Sequence, residues 1–136
     1  MKLSLDKQER YTVLRLEEEN VNSLLAPKLK SEFIILSNEG VRNLILDVSP
    51  VQYIDSSGLS AILTANRLFM AGEGTFILTG IEHPPVKRLI EISKLDSVLT
   101  ILPTVSESVD YVFMEDLQRD IAAGSDEEEE TEAAND

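Results

Sequence analysis

Along "KLSLDKQERYTVLRLEE" at the start of the chain, apolar and polar positions alternate: Leu3 and Leu5, then, after a polar turn, Val13 and either Leu14 or Leu16, with charged residues between them. A period of two belongs to a strand with one face buried, so this stretch predicts a β-hairpin. The period then lengthens. In "NVNSLLAPKLKSEFIILSNEG", Leu25, Leu29, Phe33 and Leu36 recur at three and four residues, with Asn22 or Ser23 suited to cap the start and Gly40 to close the end. That spacing predicts an amphipathic helix.

"VRNLILDVS" holds an aliphatic run, Leu44 to Leu46, without polar alternation, as expected of a central strand buried on both faces. Pro50 to Ile54 reads as a connector, after which Leu59, Ile62, Leu63, Asn66 and Met70 mark a helix ending near Gly72. Thr75 to Gly80 is a second buried strand, and "HPPVKRLIEISKL" is a short helix with a proline in its first turn and Val86, Leu89, Ile90 and Ile92 as its apolar face. "SVLTIL" predicts another strand. "TVSESVDYVFMEDLQRDIAA" predicts a terminal helix, with Thr104 or Ser106 near its cap and Val105, Val109, Val112, Phe113, Leu117 and Ile121 inward. Strands alternating with helices of crossover length predict a single α/β domain over residues 1–121, built on a central mixed sheet with the hairpin at its N-terminal end. Residues 122–136 have little to bury and a dense run of like charge, which predicts an acidic tail without a fold of its own.

Charge narrows the partners. The formal net charge is −13, but seven acids and no base fall between Asp126 and Asp136, leaving 18 acids against 12 bases in the body. Nucleic-acid affinity comes largely from Lys and Arg displacing counterions, so direct nucleic-acid binding is not expected. Cysteine is absent, which excludes disulfides, thiolate metal sites and cysteine nucleophiles. No basic segment leads into an apolar run at the N-terminus and no stretch approaches a membrane span, so the expected location is cytoplasmic, without membrane insertion.

Most candidate chemistry has a plain structural account. Ser56 with Gly58 two residues later matches the second half of the G-x-S-x-G nucleophile elbow, but Ile54 stands where the first glycine belongs. The one histidine, His83, lies beside two prolines, so the base that would activate a serine is missing and an enzyme is not expected. His83 has no second histidine or cysteine to join it at a metal, and no cofactor is called for. Gly72-Glu73-Gly74 follows a helix and precedes a strand, the reverse of a phosphate loop. Lys87 and Arg88, and the acids Glu127 to Glu130, read as solvated charge.

Asp55 and Ser56 in "YIDSSGLSAIL" are suited to cap the following helix. Capping does not explain two serines and a glycine after the aspartate. Nor does it explain a following helix whose Ser57, Ala61, Thr64 and Leu68 form a small, mixed face, which would suit docking of another protein.

"LILDVSPVQYIDSSGLSAIL" resembles the signature of STAS domains, the family of bacterial anti-sigma factor antagonists and of the cytosolic domains of sulfate transporters. The resemblance continues through "GTFILTGIEHPPVKRLIEISKLDSVLTILPTVSESV" and covers Leu3 to about Ile121. It implies that Ser56, directly after the aspartate, is phosphorylated by a partner serine kinase that is itself the anti-sigma factor, and that a phosphatase reverses the modification. The unmodified form would bind the kinase and free the sigma factor, and the phosphorylated form would release it. Asp55, Ser56, Ser57, Gly58 and Thr64 are then the expected partner-binding residues, Gly58 because a partner backbone must come close. The alternative within the family is a STAS subunit of a transport complex or signalling scaffold. Two stretches depart from the pattern: "LEEENVNS" replaces a Gly-Glu-Leu-Asp-like turn, and Ser93-Lys94-Leu95 has lysine in place of glycine.

Overall fold

The computed structural model describes residues 1–135, with side chains through residue 124. The predicted hairpin forms from β1 (Leu3–Lys7) and β2 (Thr12–Leu16), paired antiparallel. Three further strands, β4 (Leu44–Asp47), β6 (Phe76–Thr79) and β7 (Thr100–Leu102), add in parallel, giving a five-stranded mixed sheet in the order β1-β2-β4-β6-β7. The aliphatic runs take the interior positions, as their lack of polar alternation requires.

Strand register sorts the side chains between two layers. Leu5, Leu14, Leu46, Leu78 and Ile101 stand opposite one another across the sheet. They pack with helices α1 (Ala26–Asn38), α2 (Ser56–Ala71) and α3 (Pro84–Ile92), where Leu29, Phe33, Leu36, Leu59, Ile62, Phe69, Val86 and Ile90 are buried. Val13, Ile45 and Ile77 alternate to the other face and meet Val112 of α4 (Val105–Asn135). A period of two thus divides each strand between a thick and a thin core.

Four expectations about local structure change. Tyr53–Ile54 is not a plain connector: it forms β5 and pairs in parallel with β3 (Asn20–Val21), a second small sheet. The N-cap of α1 is Leu25, without a side-chain bond; Asn22 instead accepts from Leu24 N and Leu25 N in the turn before it. Met70 and Ile92 lie outside the buried faces of their helices and are exposed. On α4, Phe113, Leu117 and Ile121 are exposed, and the row turned to the sheet carries Val105, Val109, Val112 and Asp116.

The α4 difference has a polar cause. Asp116 is 8% exposed and accepts from Asn43 Nδ2 at 3.1 and 3.2 Å and from Arg119 at 3.1 Å. Arg119 also donates to the Gly74 carbonyl and to Thr75 Oγ1. A buried carboxylate is tolerated only when paired and hydrogen-bonded, and this network fixes which side of α4 faces the sheet against the apolar pattern. The helix starts where expected, with Thr104 Oγ1 accepting from Glu107 N. It continues to Asn135, whereas the sequence predicts no fold for residues 122–136; the side chains of the acidic run lie outside the described residues.

Lys94 adopts the left-handed conformation, φ 59°, ψ 26°, so the turn after α3 keeps a backbone that favours glycine although the side chain is lysine. That conformation costs a non-glycine residue roughly 1–2 kcal/mol.

Candidate functional site

The entrance of α2 is built from three separate parts of the chain. Its N-cap is Asp55, extended at φ −106° and ψ −175°, whose Oδ1 accepts from Gly58 N at 3.0 Å. The Asp55 carbonyl accepts from Leu59 N at 3.0 Å, and the Asp55 N–H donates to the Val21 carbonyl at 3.1 Å, continuing the β3–β5 ladder. The aspartate is thereby held from both sides. Of the four N–H groups that open the helix, that of Asp55 goes to the Val21 carbonyl and that of Gly58 to the Asp55 side chain, and those of Ser56 and Ser57 remain for other acceptors.

Ser56 is the first helical residue and is exposed. Among the described residues no hydrogen bond uses its hydroxyl, because capping is already done by Asp55. Replacing Asp55 by Ala should therefore cost about 1 kcal/mol of stability through the lost cap, while Ser56→Ala should stay within about 0.5 kcal/mol of the parent. Paired thermal melts of the two variants check this, and equal losses would mean that Ser56 also holds the helix end.

Gly58 has a different role from the one expected of it. It is buried, and a β-carbon there would stand 2.8 Å from the Val21 carbonyl oxygen, 2.9 Å from Val21 Cγ1 and 2.5 Å from Ile54 Cγ1. The close approach is made by this chain's own β3, so Gly58 lies beneath the helix entrance and does not line its surface. Val21 belongs to "LEEENVNS", the stretch that departs from the family-like turn, and that stretch supplies the strand on which the entrance rests.

The predicted mixed face of α2 is partly turned inward. Ala61 is fully buried in the core shared with α1, and Ser57, Thr64 and Leu68 are half-buried. Thr64 lies two helical turns from Ser56 and donates its hydroxyl to the Ser60 carbonyl at 3.0 Å. Asp55, Ser56 and Ser57 are thus brought together, while Gly58 is below them and Thr64 at a distance.

Several neighbours of Ser56 carry no signal in the sequence pattern. A shallow depression of about 350 Å³ lies between α1 and α2, lined by Ser23, Ala26, Pro27, Lys30, Ser56, Ser57 and Ser60. Leu24, next in sequence to Ser23, is 81% exposed, and Tyr53, two residues before Asp55, is 56% exposed, two large side chains that the chain's own core leaves uncovered. The depression that the serine lines is therefore small and hydroxyl-rich. His83 is elsewhere, at the N-cap of α3, with Glu82, Lys87 and Arg88 in a separate depression that Ser56 does not line. No group of His, Asp or Glu side chains among the described residues could hold a metal ion, and no described helix is long and apolar enough to cross a membrane.

The profile of the STAS domain family matches residues 2–108, from β1 into the first turn of α4. The chain belongs to the STAS domain family. This STAS domain is 30% identical over 101 residues to BtrV of Bordetella bronchiseptica, a protein named for an anti-sigma factor antagonist; the match spans 74% of this chain and 85% of that protein. Among solved structures, an anti-sigma factor antagonist from Mycobacterium paratuberculosis superposes with a TM-score of 0.72 at 19% identity, covering 82% of this chain and 92% of that one. The anti-sigma factor antagonist SpoIIAA of Bacillus matches in its unphosphorylated form with a TM-score of 0.69 at 22% identity, over 82% of this chain and 96% of that one. Its phosphorylated form matches with a TM-score of 0.62 at 21% identity, over 82% and 99%. The fold of this STAS domain is thus shared with anti-sigma factor antagonists.

Proposed function

We propose that this STAS domain is an anti-sigma factor antagonist that binds an anti-sigma factor serine kinase through the entrance of α2 and is released when Ser56 is phosphorylated. The observation that carries the reading is the Ser56 hydroxyl, exposed at the first turn and relieved of capping by Asp55. The name of BtrV and the two phosphorylation states in which SpoIIAA has been solved point the same way.

In the modification step, Ser56 Oγ attacks the terminal phosphoryl group of the nucleoside triphosphate held by the kinase; its proton passes to the kinase and the diphosphate leaves. The phosphate adds about −1.5 to −2 charges and three acceptor oxygens to a surface that already carries Asp55. Desolvation and repulsion then oppose redocking against Leu24 and Tyr53, while the free N–H groups of Ser56 and Ser57 and the helix dipole favour an anion and leave the fold intact. A phosphatase that removes the group restores the binding form. The chain acts as substrate and switch, with no catalytic step of its own.

Affinity purification on the unmodified chain from the cells that make it should recover a serine kinase that also binds a sigma factor. Recovery of membrane transport subunits in its place would assign the domain to a transport complex and overturn the proposal.

A further inference from the structure

We infer that Lys30 of α1 is the intramolecular partner of the phosphate on Ser56, drawing it into the depression between α1 and α2 so that the modified serine fills the docking surface. This rests on the reading of Ser56 as the phosphate acceptor and adds where the phosphate goes.

Three observations carry it. Among the residues lining the depression, the only ionisable side chain is Lys30, and the others are four serines, an alanine and a proline. Lys30 is half-buried, and none of the ion pairs among the described residues uses it. Neither Glu32, the acid nearest Lys30 in sequence, nor Asp55, the acid next to Ser56, lines the depression, and Asp55 is bonded to Gly58 N. A lysine held in a hydroxyl-lined hollow, with unpaired N–H groups of Ser56 and Ser57 at its edge, offers a phosphate a cation, neutral donors and backbone donors at once.

Position on the helix accounts for the placement. Ala26, Pro27 and Lys30 stand at intervals of one, three and four residues, on the side of α1 turned to the first turn of α2. The ammonium thus belongs to a different element from the serine, and their pairing ties α1 to α2 in the modified form only. Lys30 is a positioning residue in this account: it takes no part in phosphoryl transfer.

The test uses the full chain with phosphoserine installed at position 56 during translation, so that no kinase is needed, and follows the phosphate by ³¹P NMR as a function of pH. The charged groups that bear on it are Lys30 within the depression and Asp55 beside it. In the parent the second ionisation, ordinarily near 6, should fall below that of a Lys30→Gln chain by about 0.3–0.6 pH units, since the neighbouring cation favours the dianion. Lys30→Arg should restore the lower midpoint. Amide spectra of the three unphosphorylated chains establish that all are folded. Identical midpoints in all three would overturn the inference, even if the kinase modifies Ser56. A Lys30-dependent midpoint in a chain that no native kinase modifies would uphold the pairing and defeat the functional reading instead.

Discussion

Phosphorylation of Ser56 is expected to weaken the complex with the anti-sigma factor kinase roughly a hundredfold, about 3 kcal/mol, with the domain remaining folded. Ser56→Asp carries a smaller charge and should lose at least about tenfold, whereas Ser56→Ala should bind as the parent does and stay bound when ATP is added. The size follows from position. Leu24, next in sequence to Ser23 of the depression, and Tyr53, three residues before the serine, are large side chains left exposed, and a docked partner that covered them would strip water from an anion on Ser56. Titration calorimetry with the purified kinase gives the affinities, and equal binding of the Asp and Ala variants would remove the electrostatic basis of the switch.

Gly58→Ala is expected to be the most damaging small substitution at the site, costing about 2 kcal/mol and lowering the melting temperature by several degrees. The added β-carbon has no room: the Val21 carbonyl and side chain and Ile54 already occupy its space, and both residues belong to the ladder that holds Asp55. Any loss of kinase binding in this variant should track the loss of fold at the α2 entrance. A variant of full stability that bound the kinase poorly would instead place Gly58 at the partner surface. Calorimetric melting and binding on the same preparation separate the two.

The fold was legible wherever burial alone set the pattern. The central strands had no polar alternation, the helices had clean spacings of three and four, and their alternation in sequence left an α/β sheet as the economical arrangement. It was illegible where a polar interaction or a very short element decided. The inward side of α4 is set by the bonds of Asp116 with Asn43 and of Arg119 with Gly74 and Thr75, pairs far apart in the chain whose meeting no periodicity announces. Strands β3 and β5 have two residues each, too few for a period to appear.

The site divides in the same way. Asp55 and Ser56 could be read from their chemistry, since a capping acid followed by a spare hydroxyl is a local pattern. Lys30 and Ser23 could not, because they reach the serine only through the packing of α1 on α2. At Gly58 the glycine alone does not tell which backbone comes close, and the one that does in the fold is this chain's own Val21.

The central claim is that the state of one hydroxyl decides whether the partner stays bound. Its most direct test is to isolate the chain from its own cells, separate kinase-bound from free protein by size, and map phosphate in each pool by mass spectrometry. The account predicts an unmodified Ser56 in the bound pool and phosphate at Ser56 in the free pool. Equal occupancy in the two pools, or a Ser56 that never carries phosphate while the complex forms and dissociates, would contradict it.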